Sequence, residues 1–326
     1  MFYKERKIPL KFRAEEAIIR RLDGSHPKFS VIQENHRKMS AGIRGEKELD
    51  YQLSFLPNEK YLILNDLRLL QNGHFFQIDT LLLSPKVSFI IDSKNISGTV
   101  LFDFNREQCI RTFNDKEEGM RDPITQVRKH KRLLSQWLID NKLGSIPIEY
   151  LVVIAHSTTV IKTNGNSTDK NRRLLHSDQL YERLIEFEKR YTTENLTLKE
   201  IKKIGKQLLK YHTPLLPKIL SVYSIDPIDI KPGVQCPSCF AIPMNRQHGK
   251  WVCNKCGCKS KDAHISAITD YSLIFSQTIT LSHFRTFLHI PDSKVKMASD
   301  LLVSLKLPHQ GAKKGRVYDL SPLMKI

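Results

Sequence analysis

Acidic residues are scarce in this sequence of 326 residues. Asp and Glu number 34 against 52 Lys and Arg, so the formal net charge is +18. A positive excess of this size attracts polyanions, which favours nucleic acid or an anionic membrane surface as the partner. A merely soluble basic protein is the plainer alternative. With 40% hydrophobic residues the chain is rich enough in apolar side chains to build a core, so global disorder is not expected.

Long apolar runs and scattered cysteines are also missing. No run of about 18 uncharged apolar residues occurs, so no membrane span is predicted. The charged start, Met1 to Lys7, is not followed by an apolar segment of the secretory type, and we expect a cytoplasmic protein. Of the 6 cysteines only Cys109 lies outside residues 236–258. Clustered cysteines in a cytoplasmic protein indicate a metal site rather than disulfides.

Hydrophobic periodicity and turn residues predict an α/β protein with appended small domains. A helix is expected from about Gln33 to Phe55, followed by strand-like runs at 61–67, 74–83 and 87–94, with a fourth strand near 99–104. Helices are also expected after Asp122-Pro123, over 178–190 and over 198–211, and residues 146–155 are typical of a buried strand.

The predicted division has five parts, because prolines 214, 217, 227 and 232 mark a linker and the chain beyond it is densely basic. The parts are a basic N-terminal segment (1–32), an α/β domain (33–213), a linker (214–231), a cysteine-rich segment (232–262) and a basic C-terminal segment (263–326).

Two acids and a lysine stand out on the strand-like runs. Residues two apart on a strand point to the same face, so Asp92 and Lys94 should project together. A hairpin joining this strand to the preceding one can bring Asp79 beside Asp92. Carboxylate oxygens are the ligands that Mg²⁺ prefers, and a bound ion would lower the pKa of a water molecule that Lys94 could position or deprotonate. A salt bridge at the end of a strand is the simpler interpretation of the same residues.

Five short segments follow one another between residues 42 and 130: Gly45-Glu46, Asn65-Asp66-Leu67, Gln77-Ile78-Asp79, Ile91-Asp92-Ser93-Lys94-Asn95 with Gly98, and Asp122-Pro123 with Gln126. In order and spacing, residues 42–130 resemble the nuclease-related domain (NERD) family of the PD-(D/E)xK nuclease superfamily. This resemblance implies a restriction-endonuclease-like core, a mixed sheet flanked by helices.

The same resemblance implies roles for individual residues. Asp79 and Asp92 would be the main ligands of Mg²⁺ or Mn²⁺, and Glu46 an outer-shell or second-metal ligand. Lys94 would complete the catalytic set, and Gln126 would orient water or phosphate. His130 lies one turn beyond Gln126 on the same helical face, and we expect it to be a solvated phosphate contact.

Two positions depart from the family's pattern. The usual acid at position 92 is Glu, whereas this chain has Asp, which is one methylene shorter. Many relatives have His after the first aspartate, where this chain has Thr80. Neither departure removes a ligand, although the shorter acid changes the reach to a metal.

Four cysteines form two Cys-x-x-Cys knuckles separated by thirteen residues, and this spacing suits one tetrahedral Zn²⁺. The expected ligands are Cys236, Cys239, Cys253 and Cys256, with Cys258 left over. A redox dithiol is the alternative, but two matching pairs disfavour it. The pattern resembles a zinc ribbon, and a closed shell of four thiolates indicates a structural ion.

The last fifty residues fit a winged helix-turn-helix. Residues 280–288 and 294–305 are predicted helices around an Ile290-Pro291-Asp292 turn, and residues 311–318 a basic wing. Five basic side chains are candidates for nucleic-acid contacts: Lys294, Lys296, Lys313, Lys314 and Arg316. A small helical interaction domain without DNA is the alternative.

Taken together, the sequence predicts a Mg²⁺-dependent nuclease that acts on phosphodiester bonds, with DNA as the expected substrate, and that is targeted by its C-terminal module. A non-catalytic nucleic-acid-binding or regulatory protein with a degenerate nuclease fold is the second hypothesis. A zinc segment that docks another protein is the third.

Overall fold

The computed structural model describes residues 2–324, which fold into two compact units. One unit contains residues up to Lys7 and Ser40–Pro214, and the other contains Ile8–Met39 and the chain from Leu215 onward. Helix α2 therefore contributes residues to both. The five-part division predicted above remains a prediction.

Short strands and helices alternate along the described chain. The strands are β1 Phe2–Lys4, β2 Leu62–Gln71, β3 His74–Leu83, β4 Ser88–Lys94, β5 Thr99–Asp103, β6 Gln108–Phe113, β7 Lys116–Met120, β8 Ile148–Ile154, β9 Val160–Asn164, β10 Leu174–His176, β11 Asn245–Gln247, β12 Lys250–Val252, β13 Lys259–Ser260, β14 Thr278–Thr280, β15 His309–Gln310 and β16 Val317–Asp319. The helices are α1 Leu10–Arg21, α2 Phe29–Leu53, α3 Pro123–Asp140, α4 Thr168–Arg172, α5 Leu180–Glu188, α6 Leu198–Tyr211, α7 Ile219–Tyr223, α8 Ala263–Ile274, α9 Leu281–Phe287, α10 Val295–Ser304 and α11 Ser321–Met324.

The first unit is built on a six-stranded mixed sheet in the order β1-β2-β3-β4-β8-β10. Strands β2, β3 and β4 form the predicted antiparallel meander, while β4, β8 and β10 are parallel. The β2–β3 hairpin closes through Asn72-Gly73, both with positive φ (49° and 76°), as a two-residue hairpin turn requires.

Helices cover both faces of this sheet. Buried side chains of α3 and α6 pack on one face, and those of α2 and α5 on the other. Helix α3 begins where the sequence predicts, because the Asp122 carboxylate accepts hydrogen bonds from the backbone of Ile124 and Thr125 and Pro123 follows it. A second sheet, in the order β7-β6-β5-β9, completes the unit. The fold class predicted from the sequence is confirmed.

The second unit contains two small three-stranded sheets. Strands β11, β12 and β13 form one sheet, called the ribbon sheet below, and β14, β16 and β15 form another beside α9 and α10, called the wing sheet. One core joins them, since Trp251 of the ribbon and Phe284 of α9 belong to the same cluster of buried side chains. Helix α1 belongs to this unit because Arg21, fully buried, pairs with Asp270 of α8 at 2.8 Å.

Candidate active site

The site forms where strand β4 leaves the core. Its buried run Phe89-Ile90-Ile91 ends at Asp92, and Lys94 follows on the same side of the strand. Thr80 of β3 pairs with Ile91, so Asp79 lies next to Asp92 across the hairpin. The Asp79 carboxylate is close enough to act electrostatically on that of Asp92. The structure thus brings together Asp79, Asp92 and Lys94.

Asp92 is almost completely removed from water, with 2% of its surface exposed. Its Oδ2 pairs with the Lys94 Nζ at 2.7 Å. Burial and the neighbouring Asp79 raise the pKa of Asp92 to about 7, although Lys94 acts in the opposite direction. Asp92 therefore binds a proton more readily than a solvated aspartate does, and a cation at this position would compete with that proton.

Lys94 stays charged in this setting. Burial on its own lowers the pKa of its ammonium group, but the carboxylates of Asp92, Asp79 and Glu46 outweigh it and raise the pKa. The side chain is 24% exposed, so its head reaches the edge of the site. A protonated amine at this position donates hydrogen bonds and offers positive charge, and it does not serve as a base at neutral pH.

Glu46 approaches from helix α2. Burial raises the pKa of its carboxyl group to about 7, with Arg6 opposing the rise and Asp66, Asp79 and Asp50 adding to it. Its Oε2 lies 3.6 Å from a terminal nitrogen of Arg6. Gly45 allows this approach, because a Cβ at position 45 would come within 2.6 Å of the Asn95 side chain. Glu46 therefore lies within electrostatic range of the aspartates while it faces an arginine.

The arginine that faces Glu46 was missed by the sequence analysis. Arg6 follows β1, the edge strand that pairs with β2. Only 7% of its side chain is exposed. It pairs with Asp50 of α2 at 3.1 Å and with Asp66 of β2 at 2.9 Å. The only signal in the sequence was an excess of basic residues near the N-terminus, which does not distinguish Arg6 from its neighbours.

Helix α3 supplies Gln126 and His130 on one face. Gln126 is partly buried, and the structure gives its side chain no contact to the aspartates. His130 is partly buried too, and its ring lies 6.3 Å from that of Phe76. Burial lowers the pKa of His130, with Lys94 and Lys129 adding to the effect and Asp79 opposing it. We expected His130 to be a solvated residue that contacts phosphate. The structure instead places its ring in a partly buried position, within electrostatic range of Asp79 and Lys94.

The donor set at the carboxylates fits a hard divalent cation held by two acids. Asp79 and Asp92 are adjacent, and the buried Asp92 pairs with Lys94, whose single positive charge offsets only one of the two carboxylates. Among residues 2–324, only the four cysteines bring three or more His, Cys, Asp or Glu ligand atoms within 4.8 Å of one another. Glu46 therefore does not complete a compact three-carboxylate cluster with Asp79 and Asp92.

The cysteine cluster has the geometry of a zinc site. The sulfurs of Cys236 and Cys256 are 3.6 Å apart, and those of Cys239 and Cys253 are 3.5 Å apart. Zn–S bonds of about 2.3 Å in a tetrahedron place sulfurs about 3.8 Å apart, so the four thiols could hold zinc. Burial acts to raise the pKa of Cys236, but backbone N–H groups of Cys239 and Ser238 lower it to about 6, which favours the thiolate. The leftover Cys258 is not one of this set.

The predicted nucleic-acid contacts lie around the second helix of the winged segment and its wing. Lys294 ends a short 3₁₀ turn just before α10, and Lys296 is in the first turn of α10; both are exposed. Lys313 is exposed between β15 and β16, and Arg316 is partly buried. The side chain of Lys314 lies outside the part of the chain that the structure describes.

Comparison with known proteins finds one matching domain family. Residues 41–155 match the family model of the nuclease-related domain, which confirms the resemblance seen in the sequence. The predicted site residues Glu46, Asp79, Asp92, Lys94 and Gln126 lie within this range, and their roles remain predictions. The match indicates a nuclease-related function. The chain is also 26% identical, over 195 residues, to an uncharacterized protein of Bacillus anthracis; the alignment covers 60% of this chain and 84% of that protein. No solved structure gives a significant match.

No helix in the described part of the chain combines the length and apolar character that crossing a membrane requires.

Proposed function

We propose that the protein is a Mg²⁺-dependent nuclease that hydrolyses phosphodiester bonds of DNA. One observation carries the proposal: within the segment that matches the nuclease-related domain, Asp79 and Asp92 are adjacent across the hairpin, and the buried Asp92 carboxylate pairs with Lys94 Nζ at 2.7 Å. Two neighbouring carboxylates carry more negative charge than one lysine offsets, and a divalent cation compensates for the difference.

In this proposal Asp79 and Asp92 hold Mg²⁺ or Mn²⁺, and Glu46 is an outer-shell residue. The bound ion would supply positive charge for a phosphate oxygen and lower the pKa of a coordinated water. Lys94 remains protonated, so its ammonium steadies the negative charge that develops on the phosphate or donates a hydrogen bond to the attacking water. Gln126 orients water or phosphate from helix α3.

The second unit is proposed to hold the nucleic acid. The zinc ribbon keeps its fold with a structural Zn²⁺, and α10 together with the β15–β16 wing contacts a groove and the phosphates. The net charge of +18 supports a polyanionic partner. A site of four reduced thiols fits a cytoplasmic setting.

A nuclease assay on the whole protein tests this function. DNA and RNA, single-stranded and double-stranded, are incubated with Mg²⁺, Mn²⁺ or EDTA. We expect cleavage of DNA with either ion and none with EDTA, and Lys94→Ala should be slower by roughly 100-fold to 1,000-fold because charge stabilisation is lost. The exposed Lys116→Ala in strand β7 is the matched control and should keep full activity.

The pH dependence of the same reaction is a second readout. Because the pKa of Asp92 is raised to about 7, a divalent ion must displace a proton below that pH. Cleavage at limiting Mg²⁺ should therefore rise up to about tenfold per pH unit below pH 7 and level off above it. Cleavage that persists in EDTA contradicts the proposal. Nucleic-acid binding without cleavage of any substrate would instead favour the non-catalytic hypothesis.

Substitutions in the wing test the role of the second unit. Replacing Lys313 and Arg316 by Gln in the whole protein should weaken DNA binding, and the slope of log K against log salt should fall by roughly 0.9 for each phosphate that is no longer neutralised. The exposed Lys28→Gln, in the same unit, is the control. Fluorescence anisotropy over a range of salt concentrations measures both. An unchanged slope would show that the wing does not bind phosphates.

A further inference from the structure

A second group of acids surrounds Arg6 beside the candidate metal site. Glu46 and Asp50 come from helix α2 and Asp66 from strand β2, and each is within 3.6 Å of the guanidinium group. Each of these carboxylates is between 22% and 25% exposed, whereas Arg6 is 7% exposed. The oxygens of these three carboxylates surround the guanidinium group without all coming within 4.8 Å of one another. Three acids grouped in this way need a positive charge among them, because their charges repel.

The guanidinium group uses all of its hydrogen-bond donors in this environment. Its Nε and one terminal nitrogen donate to the two oxygens of Asp50, at 3.1 and 3.3 Å. The other terminal nitrogen donates to Asp66 Oδ1 at 2.9 Å and to the backbone carbonyl of Asp79 at 3.4 Å. The fifth bond goes to Thr80 Oγ1 at 2.9 Å. An arginine has five N–H donors, so none remains unused.

A closed ring of hydrogen bonds fixes the arginine in place. Thr80 Oγ1 donates to Asn65 Oδ1 at 3.0 Å, and Asn65 Nδ2 donates to Asp50 Oδ1 at 3.1 Å, while Arg6 donates to both Thr80 and Asp50. Thr80 is the residue that replaces the histidine of many relatives. Since Arg6 keeps its charge at any physiological pH, the acids around it have a permanent counter-ion.

We propose that the Arg6 guanidinium occupies the place of a second cation, so that the site takes a single divalent ion, held by Asp79 and Asp92. The inference rests on the metal site of the proposed function and adds its stoichiometry. It also gives Glu46 a role that differs from a second-metal ligand, because its carboxylate faces Arg6. Arg6 lies outside residues 41–155, so the family match does not include it.

The number of bound Mn²⁺ ions tests the inference on the whole, zinc-loaded protein. Electron paramagnetic resonance counts the ions, because free Mn²⁺ gives a signal that is lost on binding. We expect one Mn²⁺ in the wild type, removed by Asp92→Asn, and two in Arg6→Ala. Adding Asp66→Asn to Arg6→Ala should return the count to one. Arg6→Gln, which keeps more of the side chain, should also bind two.

Thermal unfolding provides a readout that does not depend on counting. Arg6→Ala should unfold at a lower temperature than the wild type without metal, and Mn²⁺ should restore most of the difference. Arg173→Ala is the matched control, because Arg173 is 8% exposed and pairs with Glu149 and Asp169 in the same unit. Its loss of stability should not be restored by Mn²⁺, since Asp169 is 58% exposed and water already solvates its charge.

The outcomes separate this inference from the proposed function. A count of one in both Arg6→Ala and Arg6→Gln overturns the inference, as does a wild-type count of two that Asp66→Asn lowers to one. A variant that remains unfolded with Mn²⁺ present also counts against it. The proposed function fails if Asp92→Asn leaves Mn²⁺ binding unchanged, or if the wild type binds one ion but cleaves no substrate. In either case the Mn²⁺ count of the Arg6 variants still tests the inference.

Discussion

Replacing Asp92 by Asn should lower Mg²⁺-dependent cleavage by about 1,000-fold, which corresponds to roughly 4 kcal/mol of activation free energy. The substitution keeps the shape of the side chain but removes the charge that holds the ion beside Asp79. Asp79→Asn should have an effect of the same order, because the two carboxyls act as a pair. Steady-state cleavage at saturating Mg²⁺ measures the loss.

The same substitution should make the metal-free protein more stable above pH 7. The pKa of Asp92 is about 7 when folded and 3.8 as an isolated side chain, so between these values the folded state holds a proton that the unfolded state lacks. The free energy of unfolding of the wild type therefore falls as pH rises through this window, and Asn, which does not ionise, avoids this loss. We expect Asp92→Asn to raise the free energy of unfolding by roughly 1–3 kcal/mol at pH 8, and the difference should shrink towards pH 4.

An exposed aspartate provides the control for both effects. Asp115 lies in the turn between β6 and β7 with a φ of 58°, a conformation that Asn also accepts, so Asp115→Asn should change neither activity nor stability. If Asp92→Asn cleaves at the wild-type rate, this carboxylate does not hold the catalytic ion. If it is instead strongly destabilised at pH 8, the burial argument is wrong.

Removing zinc should unfold the ribbon and loosen the core that it shares with the winged helix. Structural zinc sites contribute on the order of 10–16 kcal/mol of binding free energy at neutral pH. Cys236 and Cys253 are themselves buried in this core beside Trp251. Cys253→Ser, or a strong chelator, should therefore release the ion and abolish the cooperative unfolding transition of the second unit.

Zinc content and circular dichroism measure this effect together. Cys258→Ser is the matched control, because Cys258 lies near the four sulfurs but is not one of the set that converges. It should keep one zinc ion per chain. A site of four cysteines would be contradicted if the wild-type protein, purified under reducing conditions, contained no zinc. It would also be contradicted if Cys258→Ser and Cys253→Ser lost zinc to the same extent.

Local signals predicted the elements around the candidate active site closely. Strand β3 and helix α6 have the expected bounds, since Asn72-Gly73 sets the turn before β3 and a Thr197–Glu200 capping box starts α6. Helix α2 was expected over 33–55 and spans Phe29–Leu53. The pairing of Asp79 with Asp92 followed from a hairpin register, which is also a local property.

Contacts between residues far apart in the sequence could not be predicted from local signals. Helix α1 precedes Gly24 and Pro27, two residues that interrupt the hydrophobic pattern, and its buried Arg21 finds Asp270 only in the folded chain. Arg6 likewise meets Asp50 and Asp66 some 44 and 60 residues away. Such contacts depend on tertiary packing, and an arginine in a basic segment gives no sign of which acids it will meet.

The most direct test of the central claim is anomalous diffraction from crystals of the wild-type protein soaked in Mn²⁺. A divalent ion held by Asp79 and Asp92 predicts one anomalous peak at roughly 2.2 Å from carboxylate oxygens of both residues, with Lys94 beside it. The same soak of Asp92→Asn should show no peak there. A wild-type map with no peak between these two aspartates, from protein that cleaves DNA in the same Mn²⁺ solution, would contradict the account.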